Sequence, residues 1–474
     1  MPTAQMDPII EMLRSARRDV TPIRLRILLL AIASLTFIFC IFTINTVQQH
    51  ITAVQSIGKD AAPSVIAAHQ IEIGVQAMDA DLTGELLHPQ SSRQSQQFAR
   101  DYEKWRVLVG KELIAAARNI TYGETEAQSI ESLQTNFGQF TAQAQSARDA
   151  HQANAEDLAL VNYHAALKTL QQSLIPDAER LNKTNGDILE TVFHQEESES
   201  SLSGGFVLVL GIALTALLVV CQIYLSKRFR RRFNIPLLIA TATMVGFVQY
   251  LYPALQANTG HLKIAKDDSY DSIAALMNAR ADAYDANACQ SRWLFDRQNA
   301  PSVEKSFSSA LGKIATFGPE NDYSKNYSKT VDKVEKQIKD GAKVNVPGFS
   351  GALADALANL RFTGESQAAF DMLKAFGAYQ TADQSMKKFE NSGDHKTAIE
   401  IGLGYDPDST KYAFNKFDDA LVRTLAINKE QFDQAIKNAT NDVHGLILSC
   451  LLVGFLTIVC AYWGLRDRMA EYAG

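Results

Sequence analysis

The residue types best suited to chemistry stand in one run, Asp285-Ala-Asn-Ala-Cys-Gln-Ser-Arg-Trp-Leu-Phe-Asp296. Asp285 and Arg292 are two helical turns apart, and Trp293, Leu294 and Phe295 add a large apolar surface beside the arginine. Two readings follow. The run packs the tip of a helical bundle, or it forms an outer hot spot for a partner protein, where Trp, Tyr and Arg are enriched. Asp285, Arg292, Trp293 and Phe295 are the candidate contact residues. A second run is cationic: Lys227, Arg228, Arg230, Arg231 and Arg232 stand within Ser226–Asn234 with no acid among them. It reads as a topology determinant that touches anionic lipid, or as a docking patch for an acidic cytoplasmic partner.

No sequence pattern for catalysis is present. There is no Gly-x-x-x-x-Gly-Lys phosphate loop, His-Glu-x-x-His, Cys-x-x-Cys or Gly-x-Ser-x-Gly. His194 with Glu196 and Glu197 has metal-ligand residue types, but their place near a helix end reads as a solvated surface. Asp406-Pro-Asp-Ser-Thr410 opens like a calcium loop. It then has Lys411 where the turn needs glycine and Phe417 where the bidentate glutamate belongs. The expectation is therefore a chain with no catalytic residue, no cofactor and no metal.

What must position these runs is set by the distribution of charge. The 474 residues are 46% apolar and 21% charged, with a net charge of −6. Four stretches carry no Asp, Glu, Lys or Arg: Ile27–Ile57, Leu202–Ser226, Phe233–Leu262 and Gly445–Leu465. A bilayer core about 30 Å thick needs about 20 apolar residues of helix, and each stretch contains that many. This excludes a soluble enzyme built on one large core. The spans are placed at 27–47, 205–225, 235–253 and 445–464. The first is too long for a cleavable signal and has no Ala-x-Ala site after it. Basic residues flank the short ends: Arg14, Arg17, Arg18, Arg24 and Arg26 before the first span, the loop 226–234, and Arg466 with Arg468 after the last. By the positive-inside rule, 1–26, 226–234 and 465–474 are cytoplasmic, and 48–204 and 254–444 are extracytoplasmic. The net acidity of the outer segments gives no sign of nucleic-acid binding.

Both outer segments have a helical period. Apolar positions run Ile57, Ala61, Val65, Ala68, Ile71, Val75, Met78, Leu82, Leu86 in the first. Before the second span they run Leu160 to Val192 through Leu170, Leu174, Leu181 and Ile188. Before the fourth they run Leu421, Leu425, Asn428, Phe432, Ala435, Ala439, Val443, Leu446. Gly58 and Pro63 predict a kink. Breakers at 88–92, 119–123 and 153–155 divide the first segment into four helices. The second is interrupted more often, by Gly318-Pro, Pro347-Gly-Phe-Ser-Gly351, Gly364, Gly393 and Gly404–Asp408, and predicts additional short helices. The two halves match in short pieces. Lys59-Asp60 with Ile66-Ala-Ala68 answers Lys266-Asp267 with Ile273-Ala-Ala275, and Ala77-Met-Asp-Ala80 answers Ala283-Tyr-Asp-Ala286. The expected fold is an all-α membrane protein with four transmembrane helices and two extracytoplasmic helical bundles related by duplication. Cys289 is the one cysteine outside the spans, and it reads as a small buried residue or as an intermolecular disulfide.

The Asp-Ala-Asn-Ala-x-x-Ser-Arg-Trp-Leu-Phe-Asp run after a long helix and a span, with four spans and little cytoplasmic mass, resembles actinobacterial membrane proteins of the GlnX family. More loosely, Asp79-Ala-Asp81 with Leu86-Leu87 is also similar to chemoreceptor four-helix sensor domains. The resemblance implies a pathway. An extracytoplasmic amino-acid-binding lipoprotein recognises aspartate and glutamate, and a cytoplasmic Ser/Thr kinase, PknG, responds inside. The residue reading agrees in one respect: about a tenth of the chain is cytoplasmic, too little for an output domain. The expected function is a non-enzymatic signal transducer of the plasma membrane, in contact with lipid and admissible as a homodimer. The alternatives are a scaffold subunit of an envelope complex and a direct small-molecule receptor.

Overall fold

A computed structural model describes residues 21–120, 123–229, 234–318 and 323–470. The first twenty residues, Arg230, Arg231 and Arg232 of the basic loop, and the last four residues lie outside them. The described chain is almost entirely helical. It divides into two compact units. One consists of Met1–Val54, His194–His261 and Asn438–Gly474, the other of Gln55–Phe193 and Leu262–Lys437.

The first unit holds the membrane-length apolar sequence. Its helices are parts of α1 (Thr21–Gln55), α6 (Ile175–Phe229), α7 (Ile235–Lys263) and α14 (Thr410–Val443), and the whole of α15 (Leu446–Ala470). Four helical runs, Ile23–Leu87, Glu156–Arg228, Ile235–Phe295 and Thr410–Met469, are each long and apolar enough to cross a membrane. Ile32, Phe39, Leu214, Leu218, Met244, Leu251 and Cys450 form the interior of this unit, while Phe37, Val209, Leu238 and Phe455 face outward. Apolar residues facing outward are what lipid demands, and helix-on-helix approach then depends on small residues. A Cβ on Gly211 would meet Val248 at 2.6 Å, and one on Gly454 would meet Cys40 at 2.5 Å. The fourth run turns at Gly445, whose φ of +76° only glycine adopts without strain.

The second unit is a single helical body. Its central helices are α2 (Ala62–Leu87) and α8 (Asp271–Phe295), which pack on each other. Around α2 lie α3 (Arg93–Arg118), α4 (Glu124–Gln152), α5 (Glu156–Thr169) and the first part of α6. The helices of this segment end and restart at the three breakers in the sequence. Around α8 lie α9 (Ala300–Ile314), α10 (Tyr323–Lys339), α11 (Ala352–Ala358), α12 (Glu365–Asn391), α13 (His395–Leu403) and the first part of α14. One antiparallel pair of two-residue strands joins Thr316–Phe317 to Phe349–Ser350. The two sequence segments thus share one body. Because α2 and α8 are surrounded on most sides, many of their polar positions are buried.

Three of the four long runs contain a π-helical segment: Ser56–Ala61, Leu170–Leu174 and Ile264–Tyr270. The first contains Gly58, where the sequence predicts a kink, and Pro63 then stands in the first turn of α2. Ile436 of α14 closes on Gly58, where a Cβ would meet its Cγ2 at 2.5 Å. The π turn at 170–174 inserts a residue into the 3.6 period, and the stripe changes phase across it: before it Ala159, Tyr163 and Ala166 are buried, where Leu160, His164 and Leu167 are only partly so. Leu181, Asn185, Leu189 and Phe193 are buried, whereas Ile188 and Val192 are only partly so. That corrects the stripe at Ile188 and Val192, while Leu174, Ala178 and Leu181, which follow the π turn directly, are buried as expected.

Candidate functional site

Two places gather polar side chains where apolar ones would pack. The first is the centre of the second unit. Asp79 of α2 is fully buried, and its Oδ2 lies 2.9 Å from the Nε of Arg292 of α8, an ion pair. The phenol of Tyr163, from α5, donates to Asp79 Oδ1 at 3.1 Å. Arg292 also donates through a terminal nitrogen to Asp285 Oδ1 at 3.1 Å. Burial pushes the Asp79 carboxyl up from its ordinary value, and the guanidinium opposes that. Arginine stays charged in any such setting. A buried ion costs several kcal/mol in desolvation unless it is paired, so these contacts are obligatory.

Three further pairs repeat this arrangement. Lys411 of α14 reaches Asp81 at 3.0 Å, and burial pushes Asp81 up to about 6. Arg280 holds Asp418 through two nitrogens at 2.6 and 3.1 Å, with Tyr284 donating to the same carboxylate at 2.9 Å. Gln290 donates to Asp383 at 2.6 Å and accepts from Tyr379 at 2.8 Å. Every one of these sets ties α2 or α8 to another helix. Sequence reading missed them because it assigns charged residues to the solvent. One signal was available: Asp79 and Asp285 are the aspartates that the two short repeats align, and both hold Arg292.

The candidate contact residues separate. Arg292 is 4% exposed and belongs to the interior rather than to a contact face. Its charge makes the reason physical: two aspartates hold it where packing alone would expel it. Trp293 is half-buried against Leu294, Met386 and Leu403. Phe295 is half-buried and meets Tyr163 edge-on at 5.1 Å. Asp285 keeps partial exposure. Cys289 is buried and unbridged, with its thiol pushed up to about 12 by burial. Lys227 and Arg228 are exposed at the end of α6. Their companions Arg230, Arg231 and Arg232 are outside the described residues.

The second place is in the first unit, just beyond the apolar ends of the spans. Nδ1 of His50, on α1, lies 2.6 Å from Glu196 Oε1 of α6 and 2.9 Å from Asn258 Oδ1 of α7. Asn258 in turn donates through Nδ2 to the carbonyl of Ala439, on α14, at 2.7 Å. Both groups that face Nδ1 are acceptors, so the Nδ1 tautomer carries the proton. His50 and Asn258 are buried, and Glu196 is nearly so. One polar chain therefore joins all four helices at one level. His261 of α7 adds a contact to Asp442 of α14 at 2.6 Å. The sequence trio His194, Glu196 and Glu197 divides here. His194 and Glu197 are exposed and 3.8 Å apart, while Glu196 faces inward to His50. No cluster of three or more metal-ligating side chains occurs among the described residues.

These features define a multi-pass, all-helical membrane protein whose remaining mass is one helical unit organised around buried ion pairs. Residues 53–194 match the family model described as an actinobacterial sensor domain. No curated protein and no solved structure matches the chain. The chain is similar to actinobacterial sensor proteins over that stretch, and a sensing or signalling role rests on this similarity.

Proposed function

We propose that this protein is a non-enzymatic transmembrane signal transducer. It relays the availability of extracytoplasmic aspartate and glutamate, delivered by a binding lipoprotein, to a cytoplasmic Ser/Thr kinase. The observation that carries the reading is the polar chain Glu196–His50–Asn258–Ala439, one contributor from each helix. A static anchor needs no buried polar layer, since lipid-facing helices pack on small residues. A layer whose hydrogen bonds can be made or broken gives four helices two discrete arrangements. A ligand shifts such a pair of states only if it binds one of them better. The second unit faces outward in this reading and meets the lipoprotein. Lys227 and Arg228, with the rest of the basic loop, meet the kinase and anionic lipid. A homodimer is compatible with it.

The test is a strain carrying His50→Leu, with the protein's membrane level checked by immunoblot. Phosphorylation of the kinase's substrate is followed as aspartate or glutamate is added. The expected outcome is normal abundance and a response reduced at least tenfold. A wild-type response with His50→Leu overturns the role of the layer. The scaffold reading predicts instead a stoichiometric complex whose composition is indifferent to both amino acids.

A further inference from the structure

A cavity of about 320 Å³ opens between α5, the π turn that follows it, α8 and α9. Its size is at the lower end of small-molecule sites. Voids left by imperfect packing are apolar, and this one is not. Its wall includes Lys168, Gln171, Gln172, Arg292, Asn299 and Ser302.

The balance of donors and acceptors in that wall selects the occupant. Arg292 is ion-paired through Nε with Asp79 and donates one terminal nitrogen to Asp285. Its second terminal nitrogen has no partner among the described residues. Lys168 has no acidic partner there either. The one carboxylate in the wall, Asp296, is already engaged, by His164 Nε2 at 2.7 Å and by Asn299 Nδ2 at 2.8 Å. Two cations with donors to spare, side-chain amides and a serine hydroxyl therefore face a cavity with no free acid. A group rich in acceptors and negatively charged satisfies them.

We infer that this cavity is a binding site for a small carboxylate, recognised by Arg292 and Lys168. The site is built directly into the helical unit, so it adds to the lipoprotein-dependent reading and does not rest on it. Arg292 is pre-organised by its two aspartates and loses little side-chain freedom on binding. Gln171 and Gln172 belong to the π segment Leu170–Leu174. A ligand that hydrogen-bonds them acts on the one irregular turn between α5 and α6, and π turns are enriched at functional sites.

The experiment uses the full chain purified in nanodiscs. Sodium succinate, inorganic phosphate and tetramethylammonium chloride are each titrated at constant ionic strength, and the midpoint of thermal unfolding and binding heat are recorded. Succinate is expected to raise the midpoint and give saturable heat, with tetramethylammonium silent. Lys168→Met and Ser302→Trp, both at exposed positions, are expected to weaken succinate at least tenfold while leaving the ligand-free midpoint unchanged. No response to succinate, or one undiminished in both variants, overturns the site. A response to phosphate without succinate overturns the carboxylate assignment.

Discussion

The two halves of the second unit, Gln55–Phe193 and Leu262–Lys437, are built on the same frame and diverge where the buried charge sits. Each begins with a π segment, at Ser56 and at Ile264. In each, an asparagine just past the end of a helix fastens that segment. Asn119 donates to the Asp60 carbonyl at 2.7 Å and to Ser64 Oγ at 2.8 Å. Asn359 donates to the Asp267 carbonyl at 3.2 Å, to that of Asp268 at 3.4 Å and to Ser272 Oγ at 2.9 Å. Each follows with a buried glutamate in the first turn of the next helix, Glu126 and Glu365. Each returns through a helix with a fully buried asparagine bonded one turn back, Asn185 to the Leu181 carbonyl and Asn428 to that of Thr424. That shared frame is what the duplication expected from the sequence predicts. Arg292 breaks it: the position aligned with it in the first half is Leu86, an ordinary apolar residue. The two equivalent aspartates, Asp79 and Asp285, converge on this one unmatched cation. The repeat therefore supplies the scaffold, and its departure from symmetry supplies the cavity.

The sharpest way to break the comparison is Arg292→Met. It strands Asp79 without its counter-charge, and losing one member of a buried pair costs about 3–5 kcal/mol. The measurement is chemical denaturation of the purified protein. Adding Asp79→Asn to Arg292→Met is expected to restore most of the loss, because the buried charge is then gone. A single variant as stable as wild type would show that the pair does not hold the two halves together.

Next in size is the acid dependence of Asp81, the carboxylate that links α2 to Lys411. Its folded value of about 6 lies above the unfolded model value of 3.8. The fold therefore binds the proton more tightly than the unfolded chain does. Its contribution is favourable at low pH and is lost as the pH rises from about 4 through about 6. The whole effect is at most about 3 kcal/mol. Asp81→Asn is expected to flatten the stability profile in that window and nowhere else. A profile identical to wild type refutes the assignment.

The smallest effect tests the symmetry itself. Asn119→Ala and Asn359→Ala each remove the clasp on one π segment, at a cost of about 1–2 kcal/mol for the buried acceptors left open. Equal losses, additive in the double variant, match the common frame. A clearly larger loss at Asn119 would mean that its geometry, with the shorter carbonyl bond, does more than its counterpart.

How much of this was legible in the sequence depends on the kind of signal. The apolar spans stand out because lipid tolerates no charge, and the helix ends at Leu87, Arg118 and Gln152 follow breakers that act locally. The stripe from Ile57 to Leu86 is buried throughout. The π segments left no such mark. Their extra residue shows only as a change of phase, as between Leu160–Leu167 and the buried Ala159, Tyr163 and Ala166 ahead of the second π turn. Asp79, Asp81, Arg280 and Gln290 are obscured by a different cause. Each is polar on a helix with little solvent face, and its partner is remote in the chain; Asp81 and Lys411 are 330 residues apart. A polar residue inside an apolar repeat, as in Ala77-Met-Asp-Ala80, was the only hint of them.

The chain from Glu196 through His50 and Asn258 to the Ala439 carbonyl has a kinetic consequence. Hydrogen bonds lose most of their strength within a fraction of an ångström of stretch or a few tens of degrees of misalignment. A helix that slides or rotates slightly would leave buried donors and acceptors unmet. Small excursions are therefore penalised and the helices are held in step, so that one cannot drift while the other three stay. In the proposed switch, the motion that remains is a jump to another position where the bonds from His50 to Asn258 and from Asn258 to the Ala439 carbonyl are remade. In that proposed reading the layer would work like the detent of a ratchet, filtering out graded thermal wobble and passing only whole steps.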